Sequence, residues 1–296
     1  MLLEEGFAVV LVKPRSKWIA VTAGLLPENF EEAANRVERD LKGLYPFTKI
    51  INFTIQDFER CAPKTLEKYR DFLREDVAGY GYYSWKPEMV ERVFSGEYGE
   101  CDGVVWIDGG CEIFKSPWTR KIFENQIQAA EKSGYVVYDL ETPESQFTKY
   151  DVFDYFPSVE KVDTRPQVQA THFFLYGEQG RKIAKTWVEA GLRGFHMFDQ
   201  TPSKNGEIDG FVLHKSDQSL LSLTIKSMSL SERVNIPPAG NRGFLSRLKA
   251  MRAPVWVSRN RNGESVKGTV VSRAELLMNW IINRSNSSSE DESEFR

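Results

Sequence analysis

"GVVWIDGGCEIF", residues 103–114, is the stretch whose reading decides the fold of this chain of 296 residues. It opens as a short apolar run and stops at Asp108, after which Gly109 and Gly110 free the backbone to turn. A run this short, bounded by turn residues, reads as a buried strand. Asp108 then stands where the strand ends, and in open α/β sheets ligands sit beyond the carboxyl ends of strands.

Working outward, "WIAVTAG" (18–24) and "FTKIINF" (47–53) read as two earlier strands. Between them Phe30, Ala33, Ala34, Val37 and Leu41 share one helical face, with Pro27 in the first turn and Gly43 at the end. Residues 63–77 also read as helix, and "PEMVERVF" (87–94) begins another at Pro87. Downstream, Ser116 and Pro117 start a helix running to about Gly134, and "YVVY" (135–138) is a fourth strand. Residues 140–166 read as a long loop with some local structure, and "VQATHFFLY" (168–176) as a strand. "GRKIAKTWVEAGL" (180–192) is an amphipathic helix, and "SDQSLLSLTIKS" (216–227) a helix opened by a serine cap. "PVWVS" (254–258) is a late strand, and Ser272 with Glu275 forms a capping box for a last helix.

Strands alternate with helices through the first half, which argues an α/β sheet with parallel pairings. Nothing marks an internal boundary, so residues 1–284 are expected to form a single domain. The acidic, aperiodic tail 285–296 is expected to be disordered.

A net charge of −3 provides no global field to recruit nucleic acid, and no nucleic-acid partner is expected. No apolar run reaches the roughly 18 residues that span a bilayer. Cys61, Cys101 and Cys111 have no metal spacing and suggest a reducing compartment, so the expected location is cytoplasmic. Between 242 and 273, six arginines and two lysines face one glutamate. That stretch is either a solvated basic surface or a contact for a diphosphate, an anionic acceptor or an acidic membrane.

Four constellations carry chemistry. In "IDGG", a carboxylate at a strand end can hold a divalent cation, and the cation a diphosphate; a plain turn aspartate is the alternative. In "GYGYYSWKP" (79–87), the glycines allow an unusual backbone. Lys86 there sits at a helix start, where the macrodipole favours anions, so a bound phosphate would explain it. Tyr82, Tyr83 and Trp85 could stack on a sugar or base, or fill the core. In "HKSDQSLL" (214–221), Asp217 and Gln218 could face sugar hydroxyls and His214 could bind a metal or phosphate. The plainer explanations are a dipole-favoured aspartate and a structural histidine. His172 and His196 are read as structural. Gln167 and Gln169 fall on one side of a strand and could recognise a sugar, or face solvent.

Three of these pieces follow one another in order: "GYYSWKP" (81–87), "DGGCE" (108–112) and "HKSDQS" (214–219). Over about residues 18–230 the chain resembles the GT-A fold glycosyltransferases of bacterial capsular and other surface polysaccharide pathways. The resemblance implies an α/β, GT-A-like fold. A Rossmann-like nucleotide-binding half (about 15–140) with a mixed, mainly parallel sheet would be merged with an acceptor half (about 141–284). It implies a hexosyltransferase taking a UDP- or GDP-sugar to a glycan or lipid-linked acceptor, with Mn²⁺ or Mg²⁺ as cofactor. On this sequence, Ala20, Val21, Thr22 and Ala23 would flank the base. Asp108, with Gly109 and Gly110 beside it, would tie the metal to the diphosphate, and Lys86 would face donor phosphate. Gly110 stands where the family's second acid is expected, so Glu112 or a water would complete the metal site with Asp108, with His214 as a further candidate ligand, or the mechanism would depend little on metal. Trp85, Gln167 and Gln169 would contact sugar or acceptor, and Asp217 and Gln218 would be catalytic, Asp217 as the base if the reaction inverts. A sugar nucleotidyltransferase would want cations after the first strand, and "TAGLLPENFEE" has none. A non-catalytic carbohydrate-binding protein is the other alternative.

Overall fold

The computed structural model describes residues 16–113, 117–228 and 254–257. Its centre is a five-stranded sheet in the order β2-β1-β3-β8-β5, with β1 Trp18–Gly24, β2 Lys49–Thr54, β3 Gly103–Ile107, β8 His172–Tyr176 and β5 Tyr135–Val136. β1 pairs in parallel with β2 and with β3. β8 runs antiparallel to both β3 and β5, so one strand of the five opposes the rest. The fold is therefore α/β, with a mixed, mainly parallel central sheet. Two small antiparallel ladders flank it: β4 (Cys111–Ile113) with β9 (Val255–Val257), and β6 (Asp139–Pro143) with β7 (Pro166–Val168).

The sheet is covered on both faces, which is why β1 and β3 are apolar at nearly every position. On one face Ile19, Val21, Val104, Trp106, Phe173 and Leu175 pack against helices α2 (Lys86–Phe94) and α4 (Gly177–Gly191). On the other, Trp18, Ala20, Val105 and Phe174 pack against α1 (Glu28–Leu41) and α3 (Pro117–Ser133) through Val37, Leu41, Phe123 and Ile127. Helix α5 (Asp217–Ser227) is buried along most of its length, beside α4 and the β6–β7 ladder.

Several sequence expectations are corrected. The run 168–176 is not one strand. Its start pairs with β6, its end enters the main sheet as β8, and the break at 169–171 lets two carbonyls turn toward the end of β3. The helix expected over 63–77 ends at Tyr69 and passes into a 3-10 turn over Arg70–Phe72. The loop 140–166 contains β6 and two one-turn helices, Glu144–Phe147 and Tyr150–Phe153. Ser216 precedes α5, but its side chain makes no capping bond and its φ is 50°. The helix expected from Ser272 and the tail 285–296 lie outside the described residues, as does all of the basic stretch 242–273 apart from 254–257.

Candidate functional site

Strand β3 ends at Ile107, and the backbone N–H of Asp108 donates to Thr171 O, 2.9 Å away. That bond ties the strand end to the break before β8. The next residue, Gly109, passes so close to α1 that an added Cβ would lie 3.0 Å from the Ala34 nitrogen. Glycine lets the turn lie this close against α1, where a Cβ would make a tight contact. From α1, Arg36 donates to the carbonyls of Gly109 and Cys111, each 2.9 Å away, and pairs with Glu112 at 3.3 Å. The second half of the "DGGCE" motif is thus spent on fastening the turn.

Lys86 approaches Asp108 from the first residue of α2. A left-handed turn aims it. Gly79, Tyr80, Gly81, Tyr82 and Tyr83 all have positive φ, between 51° and 88°. Each non-glycine residue in this region costs roughly 1–2 kcal/mol, so the chain holds three strained tyrosines immediately before "SWKP". The turn is closed by the Tyr82 N–H to Ala78 O (2.7 Å), the Tyr83 N–H to Gly79 O (3.2 Å) and the Trp85 indole N–H to Gly79 O (3.1 Å).

The Lys86 ammonium lies 3.0 Å from Asp108 Oδ1 and 2.7 Å from Asp217 Oδ2. It donates to Ala170 O at 3.5 Å and sits 5.2 and 5.4 Å from the ring centres of Tyr83 and Trp106. Burial works against its charge, but the two carboxylates outweigh burial and hold its pKa above the ordinary lysine value. Asp108 Oδ1 also accepts the Trp106 indole N–H at 2.5 Å. The Asp108 side chain keeps 28% of its exposure, whereas those of Lys86 and Asp217 keep 3% and 7%. Asp108 is therefore the most exposed member of the cluster. Burial raises the Asp217 carboxyl to about 6; Lys86 opposes that shift and Asp108 adds to it. The Asp217 carbonyl accepts from the Trp187 indole at 3.2 Å, so α4 fixes the start of α5.

Other predicted residues are placed differently. Gln218 joins the cluster's edge and donates to Gln167 Oε1 at 2.6 Å. Gln167 is fully buried and donates to Glu144, Thr148 and Ser219, so it braces α5 and presents nothing to a sugar. Gln169 is buried too, its backbone N–H bonded to Tyr138 O. Trp85 is 5% exposed and packs near Trp106, a core position with no free face for a sugar. Ala20, Val21 and Thr22 are fully buried and Ala23 nearly so, which leaves only backbone at the strand end to meet a base.

The expected metal set does not assemble. Glu112 is sealed against Arg36. His214 is buried; its Nε2 bonds Met197 O at 2.8 Å and its Nδ1 accepts from the Lys149 N–H at 3.4 Å. Burial lowers its pKa to about 4, so it is a neutral structural histidine. Asp108 alone remains, and its nearest counter-charge is an ammonium. Among the described residues no group of three or more His, Cys, Asp or Glu side chains could hold a metal ion. The residues present do not fit a divalent cation.

Sequence reasoning did not single out Glu144, Asp163 and Lys226. The Lys226 ammonium is fully buried, 2.9 Å from Glu144 and 3.1 Å from Asp163. It anchors the far end of α5.

No protein-family model matches the chain, and no curated protein matches it. Among solved structures, the crystal structure of mouse xyloside xylosyltransferase 1 in its apo form is similar, with a TM-score of 0.44 and 12% identity. The similarity spans 76% of this chain and 86% of that one. A likeness this loose carries no chemistry. No helix among the described residues is long and apolar enough to cross a membrane.

Proposed function

We propose that this protein is a nucleotide-sugar-dependent glycosyltransferase whose working group is the Lys86–Asp108–Asp217 cluster. One observation supports the reading above the rest. The three motifs in "GYYSWKP", "DGGCE" and "HKSDQS", far apart in sequence, each deliver one ionisable side chain to a single point beyond the carboxyl end of β3. Strand ends of this kind are where α/β proteins bind ligands.

In this reading the exposed side of Asp108 accepts hydroxyls of the donor sugar and offsets positive charge as the sugar becomes oxocarbenium-like. Asp217, with a pKa of about 6, is mostly ionised at neutral pH. In an inverting reaction it takes the proton of the acceptor hydroxyl, the oxygen attacks the anomeric carbon, and the bond to the nucleoside diphosphate breaks with its electrons. Lys86 is too deeply paired to grip a phosphate directly, and its part is to hold both carboxylates in place and in charge. The donor would be a UDP- or GDP-sugar and the acceptor a glycan or lipid-linked hydroxyl.

The doubly paired, sealed lysine favours a second reading, a carbohydrate-binding protein without turnover. Nucleoside diphosphate release from UDP- and GDP-sugars, with an acceptor panel, separates the two. Release that falls roughly 100-fold or more in Asp108→Asn supports transfer. Sugar-nucleotide binding without release supports the second reading, and no nucleotide binding defeats the first.

A further inference from the structure

The surroundings of the Lys86 ammonium are those of a cation box. Two carboxylates from separate elements, the Ala170 carbonyl and the faces of two aromatic rings all present negative potential to one point. The chain fills that point with its own side chain. We infer that Lys86 is a built-in counter-cation occupying a latent divalent-metal site, so that the wild-type cluster takes up no divalent ion and loss of the lysine opens the site to one.

The donor chemistry supports this. Two carboxylates, a backbone carbonyl and water are the oxygen ligands a hard divalent cation takes. Magnesium holds oxygens at about 2.0–2.1 Å. The carboxylates now at 2.7 and 3.0 Å from Nζ would each have to close by about an ångström or less, within reach of side-chain rotation, and the Ala170 carbonyl, at 3.5 Å, by about 1.5 Å. A cation of either kind satisfies the same electrostatic demand, since one ammonium or one divalent ion prevents two carboxylates from facing each other unscreened. Both cannot occupy the point together. Gly110 in place of a second acid, Glu112 turned to Arg36 and His214 turned to Met197 all agree with a site that never needed the ion.

The inference is independent of the transferase reading, because metal uptake is measured directly. Full-length protein is titrated with Mn²⁺ at neutral pH, and the free ion is followed by its paramagnetic resonance signal. Wild type and Lys86→Arg are expected to take up no stoichiometric ion. Lys86→Met, which keeps the apolar stem and removes the charge, is expected to bind one equivalent, roughly tenfold or more tighter than wild type. Lys86→Met combined with Asp108→Asn is expected to lose that gain. Circular dichroism checks that each variant is folded; if Lys86→Met is not, Lys86→Gln takes its place. Stoichiometric Mn²⁺ uptake by wild type that Asp108→Asn abolishes overturns the inference. So does a folded Lys86→Met or Lys86→Gln that gains nothing.

Discussion

Asp217 is the first residue of α5 and is 5% exposed, so removing its charge from water is the largest influence on its carboxyl. Lys86 pulls the other way, and the balance leaves the group near pH 6. A base must be ionised to act, so kcat/KM of the proposed transfer is expected to rise with pH through about 6 and level off above it. Lys86→Met removes the opposing charge and is expected to shift that limb to higher pH, whereas Lys86→Arg keeps it near the wild-type position. A limb that stays put in Lys86→Met would show that Asp217 is not the titrating group. His214 lies three residues away and has a different role. Its ring bonds Met197 O and the Lys149 N–H inside the core. His214→Phe should lower the unfolding free energy by roughly 1–3 kcal/mol for each buried partner left unsatisfied, with kcat/KM unchanged per folded molecule. Chemical denaturation alongside a rate measurement checks both halves. At this scale the sequence identified Lys86, Asp108 and Asp217 because each stands at an element end beside turn residues. It misled at Glu112 and His214, because spacing does not show which way a side chain turns.

The element that places Lys86 is the left-handed turn over residues 79–83. Its two glycines are required for different reasons than its tyrosines tolerate. A Cβ on Gly79 would lie 2.5 Å from the Tyr83 ring, and one on Gly81 would lie 2.7 Å from Leu73 Cδ2, each at positive φ. Gly206 also has positive φ, at 80°, but open space around it. Gly206→Ala should therefore cost about 1–2 kcal/mol, the price of the backbone alone. Gly79→Ala and Gly81→Ala should each cost more than that, and should weaken the proposed activity because the turn can no longer aim Lys86. Equal stability losses at all three sites would show that the turn is not tightly packed. The two glycines were a legible sign of an unusual backbone. Five successive left-handed residues were not legible, because tyrosine has no preference for that region and only tertiary contacts hold it there. Helix α5 shows the same limit. Its capping serine was read correctly as a boundary and wrongly as a cap, since Ser216 adopts a positive φ and leaves the bonding to neighbours.

For the molecule as a whole, strand length, apolar runs and helical periodicity made the α/β class legible, because both faces of the central sheet demand apolar residues. The antiparallel β8 was not legible, since direction is set by what the strand pairs with and not by its composition. Among the described residues, the buried groups His172, His214 and Asp217 bear on how the fold responds to acid between pH 6 and 4.5. Burial lowers His172 to about 3 and His214 to about 4. In the unfolded chain each titrates near 6.5, so around pH 5 the unfolded state holds about two protons that the folded state refuses. Asp217 acts in the opposite sense. Its folded value of about 6 lies above the unfolded value of about 3.9, so in the same window the folded state holds one proton that the unfolded state lacks. The net excess is about one proton on the unfolded side, and stability should fall by on the order of 1 kcal/mol per pH unit as pH drops from 6 toward 4.5. Denaturant midpoints at three pH values in that range measure the slope. His172 has an unpartnered Nε2 and stacks on Tyr138 at 4.8 Å, so His172→Phe removes one acid-sensitive group at little packing cost and should nearly flatten the slope. Asp217→Asn removes the compensating group and should steepen the slope to about twice the wild-type value. Stability that instead rises as pH falls through this window would mean that the histidines are not buried neutral, and that the core around β8 is built otherwise.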